Sequence, residues 1–167
     1  MTIIEIEDRI VEHLTESFPE LKVEPFPSNP ETYYLAHPKG AILVRYDGSE
    51  FEKPRATDVI VQDRWPAFQI TIVIRQLRRQ GETAGAYAYL DAVRLAMLGF
   101  TIEGFDGFWI EDEHFLDRDR EKAIWQYAQW YRSKTMLVQA SDEEFLPLLK
   151  RLTTESDYGT FETSITS

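Results

Sequence analysis

The three histidines of this 167-residue chain are the side chains best suited to bind a metal ion or to transfer protons near neutral pH. His13 lies in an amphipathic segment near the start, His37 precedes a proline, and His114 follows Glu113 in an acidic stretch. No two of them have the four-residue spacing that places two ligands on one face of a helix, and the chain contains no cysteine. The sequence therefore predicts no metal site and no thiol chemistry.

The short motifs that carry nucleophilic or phosphate chemistry are also missing from the sequence. It contains no GxSxG, GxxxxGKS, GxxxxGKT or GxGxxG segment, and the glycine pair Gly81 and Gly85 lacks the lysine of a phosphate-binding loop. Carboxylates are concentrated in one predicted hairpin, but acid–base catalysis needs two carboxylates that converge in a cleft with different pKa values. A solvated hairpin tip explains them better. We therefore expect a protein without enzymatic activity and without a cofactor.

The composition is that of a folded, acidic protein of about one domain. Hydrophobic residues make up 43% of the chain and aromatic residues 13%, which is too apolar for a disordered segment. The formal net charge of −11 argues against stable nucleic-acid binding, because phosphate neutralisation needs clustered lysine and arginine. The acidic N-terminal residues do not resemble a signal peptide, and no apolar run approaches the roughly 18 residues of a membrane span. We expect a cytoplasmic protein that does not bind membranes.

Three segments have the apolar periodicity and end signals of helices, namely residues 3–18, 83–98 and 141–153. In the first, Thr2 and Glu5 have the spacing of a capping box. In the second, Gly99 stands where a C-terminal cap glycine belongs. The first two segments are long enough to be the main helices of the domain, and the third is a short C-terminal helix.

Five segments are predicted to be strands, namely residues 21–26, 41–46, 58–74, 108–115 and 124–138. Asp47-Gly48 after the second of them is a turn signal. Along the third, the apolar positions change from odd to even numbers across Pro66. That one-residue shift predicts a bulge or a tight break there, within one long bent strand or between two strands.

Runs of strands separated by a single long helix predict an α+β domain. We expect a mostly antiparallel sheet of about five strands, with the two main helices packed on one face and the short C-terminal helix beside them. The predicted domain covers residues 1–153, and residues 154–167 form a polar tail that is frayed or extended.

Charge is distributed unevenly along the chain. Four arginines and no acid occur between Arg64 and Arg79, whereas eight acids and two arginines occur between Thr101 and Glu121. One interpretation is two solvated surfaces of opposite sign. The other is a head-to-tail contact between copies of the chain, of the kind that closes into rings. The candidate interface residues are Arg64, Arg75, Arg78, Arg79, Glu111, Asp112, Glu113, Asp117 and Asp119.

Five segments, taken in order, resemble a family of Mu-like prophage tail proteins related to phage tail terminators. They are IEDRIVEHL, HPKGAILVRYDGSEFEKP, VIVQDRWPAFQITIVIRQL, GAYAYLDAVRLAMLGF and WQYAQWYRSKTM, and the resemblance extends from about residue 3 to residue 138. It implies a tail-terminator-like α+β fold without catalytic residues. It also implies a ring, commonly a hexamer, that caps the tail tube and connects it to the head. The helix after Ser141 and the polar tail have no counterpart in that family.

The partners implied are other copies of the chain and proteins of the tail tube or of the head–tail connector, with DNA passing through the ring. Such a protein is cytoplasmic during assembly and then part of the virion tail. Two alternatives stay open. One is another adaptor at the head–tail joint of a phage or of a contractile injection system. The other is a cytoplasmic enzyme or small-ligand binder unrelated to phage, with a pocket lined by Tyr33, Tyr34 and the tryptophans.

Overall fold

The computed structural model describes residues 1–28, 35–55, 59–78, 84–119, 124–139, 152–156 and 159–163. The helices are α1 (Ile3–Ser17) and α2 (Ala86–Met97). The strands of the main sheet are β1 (Lys22–Pro25), β2 (Gly40–Phe51), β3 (Val61–Ile74), β4 (Trp109–Asp119), β5 (Ile124–Arg132) and β6 (Thr135–Val138). A separate antiparallel hairpin consists of β7 (Leu152–Ser156) and β8 (Gly159–Thr163).

The main sheet has six strands in the order β1-β2-β3-β5-β4, and β6 pairs with β3 beyond the end of β5. Only β1 and β2 are parallel, and the other pairs are antiparallel. The predicted α+β class with a mostly antiparallel sheet is therefore confirmed. Pro25 lies in β1 at the edge of the sheet, where a residue without an N–H does not interrupt a ladder.

Both helices pack on the same face of the sheet. The apolar stripe of α1 (Ile6, Ile10, Leu14) and that of α2 (Ala86, Leu90, Val93, Met97) join one core with the even-numbered residues of β2 and β3. A strand directs alternate side chains to opposite faces, so Ile70, Ile72 and Ile74 all point to the helices. Neither helix of the described part of the chain is long and apolar enough to cross a bilayer.

The predicted helix ends are largely confirmed. Thr2 Oγ1 accepts a hydrogen bond from the Glu5 N–H at 3.2 Å, and the Thr2 N–H donates to the Glu5 carboxylate at 2.6 Å, which completes the capping box. The second helix begins at Ala86 rather than near Thr83, and Thr83 itself lies outside the described residues. A Cβ at Gly85 would lie 2.4 Å from the backbone of Arg78, so only glycine fits at this N-cap.

The turn predicted at Asp47-Gly48 is wrong, because β2 continues through these residues to Phe51. Asp47 is instead the extra residue of a β-bulge, since Tyr46 pairs with Phe68 and Gly48 with the adjacent Ala67. Gly48 has φ of +123°, a conformation that favours glycine. β3 is long enough to pair with residues 49–51, and that pairing outweighs the local turn signal.

One long strand is confirmed at residues 61–74, but the bulge or break predicted in it at Pro66 is wrong. β3 pairs with β2 from Arg64 to Ile74 without a register shift on its own side. The shift in apolar parity has another cause. Val61 and Trp65 point to the face opposite the helices, whereas the even-numbered Phe68, Ile70, Ile72 and Ile74 point to the helices. Pro66 is tolerated because its carbonyl accepts from the Ser133 N–H, so its backbone faces the junction between β5 and β6.

The hairpin of β4 and β5 is confirmed with different limits. β4 runs to Asp119 rather than ending at Phe115. The charged turn expected around residues 117–121 therefore begins later than predicted, and residues 120–123 lie outside the described part. The strand predicted at 124–138 is interrupted at Ser133 and Lys134, where it passes from β5 to β6.

The predicted C-terminal helix falls mostly on residues 140–151, outside the described part of the chain. Its last two residues, Leu152 and Thr153, belong to strand β7 instead. The segment expected to be a frayed or extended tail contains the rest of the β7–β8 hairpin. The domain boundary at residue 153 stays a prediction.

One end of the sheet is a three-stranded extension that we call the wing: residues 49–51 of β2, residues 61–65 of β3, and β6. Its anchor is Asp63, which is buried although it is charged. Lys134 Nζ lies 2.9 Å from the Asp63 carboxylate, and Arg55 forms a second ion pair with it. The hydrogen bond from Lys134, together with the charge of Arg55, lowers the pKa of Asp63.

We expect substitution of a core isoleucine to destabilise the fold far more than substitution of an exposed one. Ile70 is fully buried, so Ile70→Ala should lower the free energy of unfolding by about 2–5 kcal/mol. Ile4 is 69% exposed on α1, so Ile4→Ala should change it by less than about 0.5 kcal/mol. Urea denaturation of both variants measures the difference. Equal effects would contradict the assignment of the core.

Asp63→Asn should destabilise the protein at neutral pH, and its difference from the wild type should shrink in acid. The pKa of Asp63 in the folded state lies below its ordinary 3.8. The stabilisation is therefore complete above that value and is lost as pH falls through the lower, folded-state pKa. Urea denaturation at pH 7 and near pH 3 measures both differences, with the exposed Asp117→Asn as control. A difference independent of pH would contradict the ion-pair anchor.

Candidate assembly surface

The four candidate arginines do not form one surface. Arg64 and Arg75 lie at opposite ends of β3, about 35 Å apart at roughly 3.3 Å per residue. Arg64 is in the wing, where its Nε donates to Ser49 Oγ at 2.8 Å. Arg79 lies outside the described residues. The sequence cluster is therefore divided by the length of the strand, and the interface role of these residues stays a prediction.

Arg75 stabilises a neighbouring loop. Its Nη2 donates to the Leu35 carbonyl at 2.9 Å, its Nε donates to the His37 carbonyl at 3.4 Å, and its backbone N–H donates to the Lys39 carbonyl at 3.2 Å. These contacts hold residues 35–39 against the end of β3. Substitution of Arg75 would consequently disturb the fold as well as any contact with a partner.

A basic end of the sheet nevertheless exists, assembled from residues that are distant in sequence. Gly40, Ile74, Trp125 and Arg118 are successive cross-strand partners at this end. These cross-strand pairs place Arg118 of β4 at the same end of the sheet as Lys39, Arg75 and Arg78. The Arg118 guanidinium lies over the Trp125 ring, 4.7 Å from its centroid. We call Lys39, Arg75, Arg78 and Arg118 the arginine end.

Three of the candidate acids lie near the start of β4 and are paired within the chain, so their assignment to a hairpin tip is wrong. Glu111 accepts from Arg132 Nε at 2.8 Å, and Glu113 accepts from Arg94 Nη2 at 2.7 Å. Asp112 lies 2.7 Å from the Nε2 of His114. β4 is longer than predicted, so Glu111 and Glu113 reach cations of β5 and α2, whereas the partner of Asp112 belongs to β4 itself.

The other two acids lie nearer the turn. Asp117 Oδ1 accepts the backbone N–H of Arg118 at 2.7 Å and is exposed. Asp119 is the last residue of β4, and its side chain is outside the described part. The acidic candidates thus lie along β4, close to Arg118, whereas Arg64 and Arg75 lie at the two ends of β3. The interface role of the acids stays a prediction.

Glu113 belongs to a polar network that joins α2 to the sheet. Gln129 Nε2 donates to the Glu113 carboxylate at 2.6 Å and to the Leu90 carbonyl at 2.9 Å, and the Tyr131 hydroxyl donates to Gln129 Oε1 at 2.6 Å. Both Gln129 and Tyr131 are fully buried. Burial raises the pKa of the Tyr131 hydroxyl, so Tyr131 remains a neutral donor. Arg94 of α2 also donates to the Glu113 carboxylate, so Glu113 links the helix to β5.

Four aromatic side chains form a cluster next to the arginine end, on the helix side of the sheet. Phe115 lies between Tyr127, at 5.3 Å between ring centroids, and Trp125, at 6.2 Å, and Tyr87 of α2 contacts Tyr127 at 6.3 Å. Phe115 is 52% exposed and Tyr87 is 46% exposed. We call these four residues the aromatic cluster. Exposed tyrosine, tryptophan and arginine are the side chains enriched at the centres of protein interfaces.

The aromatic cluster borders an open edge of the sheet. Among the strands that the structure describes, β5 is the only partner of β4, so the backbone groups of its outer edge are unpaired there. Register shifts at Glu111 and Leu116 interrupt the regularity of that edge. Bulges and charged side chains are common features of edges that must not pair indiscriminately. These features disfavour pairing with an arbitrary strand, so a partner at this edge must match its side chains.

The small-ligand alternative stays a prediction. A surface depression of about 430 Å³ lies beside α1 and is lined mainly by α1 and residues 100–103. His13 on its wall donates from Nε2 to the Ala96 carbonyl at 2.9 Å and stacks on Phe100 with ring centroids 3.9 Å apart. The described part of the chain contains no group of three metal-binding side chains, and Tyr33 and Tyr34 lie outside it.

The chain matches a known protein family over most of its length. The model of the Gp37 protein family matches residues 10–156. The chain belongs to the Gp37 family. Gp37 is a phage-associated family, so the expectation of a phage protein is confirmed at this coarse level. The narrower resemblance to Mu-like tail terminators stays a prediction.

Individual proteins show less similarity to this Gp37 protein. No curated protein matches its sequence. A chain of the solved structure "Virion of native gene transfer agent (GTA) particle" is similar, with a TM-score of 0.49 and 13% identity. The likeness covers 77% of the present chain and 92% of that chain.

Glu113→Ala should destabilise this Gp37 protein, because the buried amide of Gln129 and the guanidinium of Arg94 each lose an acceptor. An unsatisfied buried donor costs about 1–3 kcal/mol, so the free energy of unfolding should fall by that amount. Asp117→Ala, an exposed acid on the same strand, is the matched control and should change it little. If urea denaturation gives the two variants equal stability, Glu113 has no structural role.

Proposed function

We propose that this Gp37 protein is a structural component of a phage or prophage particle, and that it acts as the tail terminator or completion protein. In this role it forms a ring, with six subunits as the first expectation, that caps the tail tube and connects it to the head. Membership of a phage-associated family supports the first part of the proposal. The resemblance of five ordered segments to tail-terminator relatives supports the second.

The aromatic cluster with Arg118 at the open edge of β4 is the observation that carries the assembly role. A ring subunit needs a surface that loses water readily on contact and that cannot pair with every exposed strand. Half-exposed aromatic rings supply the first property, and the bulged, charged edge of β4 supplies the second. An enzyme would instead need polar groups converging in a cleft. The 430 Å³ depression beside α1 is lined by charged side chains of α1, and His13 on its wall is already bound to the Ala96 carbonyl and stacked on Phe100.

The charge of the chain suits a ring through which DNA passes. With a net charge of −11, the average surface repels phosphate, and repulsion removes the counterion-release gain that would hold DNA in place. We therefore propose that the protein is a non-enzymatic component that binds no nucleic acid stably. Its partners are other copies of itself and proteins of the tail tube or head–tail connector. It assembles in the cytoplasm and then belongs to the virion.

Deletion of the gene in a phage that encodes this chain should give tail tubes of uncontrolled length, because a terminator stops tube polymerisation. Electron microscopy of lysates measures the tube lengths, and negative-stain images of the purified protein should show rings. Complementation with the wild-type gene is the control. Tails of normal length detached from filled heads would contradict the terminator role and favour a head–tail adaptor. Complete, infectious particles would contradict both.

A further inference from the structure

One corner of the molecule, at the arginine end, carries cations that have no acidic partner within the described part of the chain. Arg78 and Arg118 are exposed, and no described carboxylate forms an ion pair with either guanidinium. Lys39 at the same end is likewise exposed. By contrast, Arg94 and Arg132 each have two carboxylate partners. The corner therefore attracts acidic groups from outside the described structure.

The nearest acid of β4 does not neutralise this corner. Asp117 pairs with Gln126 and Arg118 pairs with Trp125. Alternation along the strand therefore directs Asp117 to the face opposite the helices and Arg118 to the helix side. The Arg118 guanidinium lies over the Trp125 ring there. Positive charge is thus presented on the helix side of the sheet.

The first turn of α2 adds to the positive potential of the corner. Its N-cap, Gly85, makes no side-chain hydrogen bond, and the turn contains no acidic residue. Gly85 packs against the backbone of Arg78, where an added Cβ would come within 2.4 Å. The positive end of the helix dipole consequently lies beside Arg78.

The aromatic cluster connects the two arginines. The Tyr87 N–H donates to the Leu77 carbonyl at 3.4 Å, which places Tyr87 next to Arg78 in space. From Tyr87 the ring contacts of the cluster continue to Trp125, which lies under Arg118. Apolar rings thus lie between two exposed cations.

We propose that this corner docks an acidic segment of a neighbouring protein in the particle, in which carboxylates flank an apolar side chain. This inference rests on the proposed assembly role and names the chemistry of the partner. Carboxylates fit the guanidinium groups of Arg78 and Arg118. The apolar side chain fits the half-exposed rings of Tyr87 and Phe115. Arginine clusters are a recurrent means of recognising acidic motifs.

A second copy of the chain is a poorer occupant. Its acids are concentrated in β4, where Glu111, Asp112 and Glu113 already have partners in their own chain. A contact with another copy would have to replace these interactions, with little net gain. Two copies of the corner itself repel each other, because both are positive. The observations therefore favour a different protein.

DNA also fits the corner less well than an acidic protein segment does. Stacking of bases needs free ring faces. The Arg118 guanidinium covers one face of Trp125, and Tyr127 contacts the rings of both Tyr87 and Phe115. With a net charge of −11, the rest of the surface repels a phosphate backbone.

Fluorescence anisotropy of labelled probes tests the docking site on the full chain. The probes are a random copolymer of glutamate and tyrosine, the corresponding copolymer of lysine and tyrosine, and a single-stranded oligothymidine. The proposal predicts binding of the acidic copolymer alone. Stronger binding of the oligothymidine would overturn it in favour of a phosphate site. Failure of the acidic copolymer to bind would overturn it outright.

Charge reversal locates the site. The double variant Arg78→Glu/Arg118→Glu should weaken binding of the acidic copolymer by about tenfold or more, because it replaces both attractions with repulsion. The double variant Arg9→Glu/Lys53→Glu makes the same change of net charge at exposed positions elsewhere and should weaken binding by less than about threefold. Equal weakening by the two variants would overturn the site, because only net charge would then matter.

Truncation of one ring tests the apolar part of the contact. Phe115→Ala should weaken binding of the acidic copolymer by about tenfold, as expected at the centre of an interface. Leu95→Ala, at a position that is 76% exposed on α2, is the matched control and should leave binding unchanged. Circular dichroism confirms that each variant is folded. Full affinity of Phe115→Ala would reduce the contact to charge attraction and overturn the docking site.

Sedimentation separates this inference from the proposed ring. The variant Arg78→Glu/Arg118→Glu should keep the oligomeric mass of the wild type, and a fall to monomer would overturn the proposal in favour of a second copy. Wild-type rings that bind no acidic copolymer would overturn the docking site alone. A monomeric wild type that binds the copolymer would overturn the ring alone.

Discussion

The hydrogen bonding of β3 is the constraint on which the rest of the structure depends. One side of this strand pairs with β2 along eleven successive residues, and its other side pairs with β5 and then with β6. Pro66 lies where β5 gives way to β6, so its missing N–H costs no ladder bond. The strand can therefore be longer than the part of the sheet that packs on the helices, and the excess length is the wing.

Side-chain alternation along β3 then determines which surfaces the molecule presents. Its later residues place isoleucines under α1 and α2, whereas Val61 and Trp65 point away from the helices. Asp63, held by Lys134 and Arg55, stands between these two residues on the same face. A buried carboxylate with two cationic partners tolerates little displacement, because breaking either pair leaves charge poorly solvated. The anchor consequently holds the wing in one orientation relative to the rest of the sheet.

The sequence predicts the elements of this fold well and their three-dimensional relations less well. Periodicity identified α1, α2 and β3, because burial on one face imposes a repeat that is visible in the chain. The turn predicted at Asp47 failed because the alternative, pairing of residues 49–51 with β3, depends on residues far away. The acids Glu111 to Glu113 were placed at a tip because their partners, Arg94 and Arg132, belong to other elements. The aromatic cluster combines α2, β4 and β5 and has no local signature beyond the alternating Trp125 and Tyr127.

The separation between β3 and its later partners has a consequence for synthesis of the chain. Thr71 pairs with Ala128, so one edge of β3 lacks its partner until more than fifty further residues have left the ribosome. During that interval a strand rich in isoleucine can pair only with β2, and its other edge is a template for unwanted association. Long-range pairing of this kind is slow to form. Until β5 is made, α1 and α2 can cover only the isoleucine face of β3, and its second edge stays open.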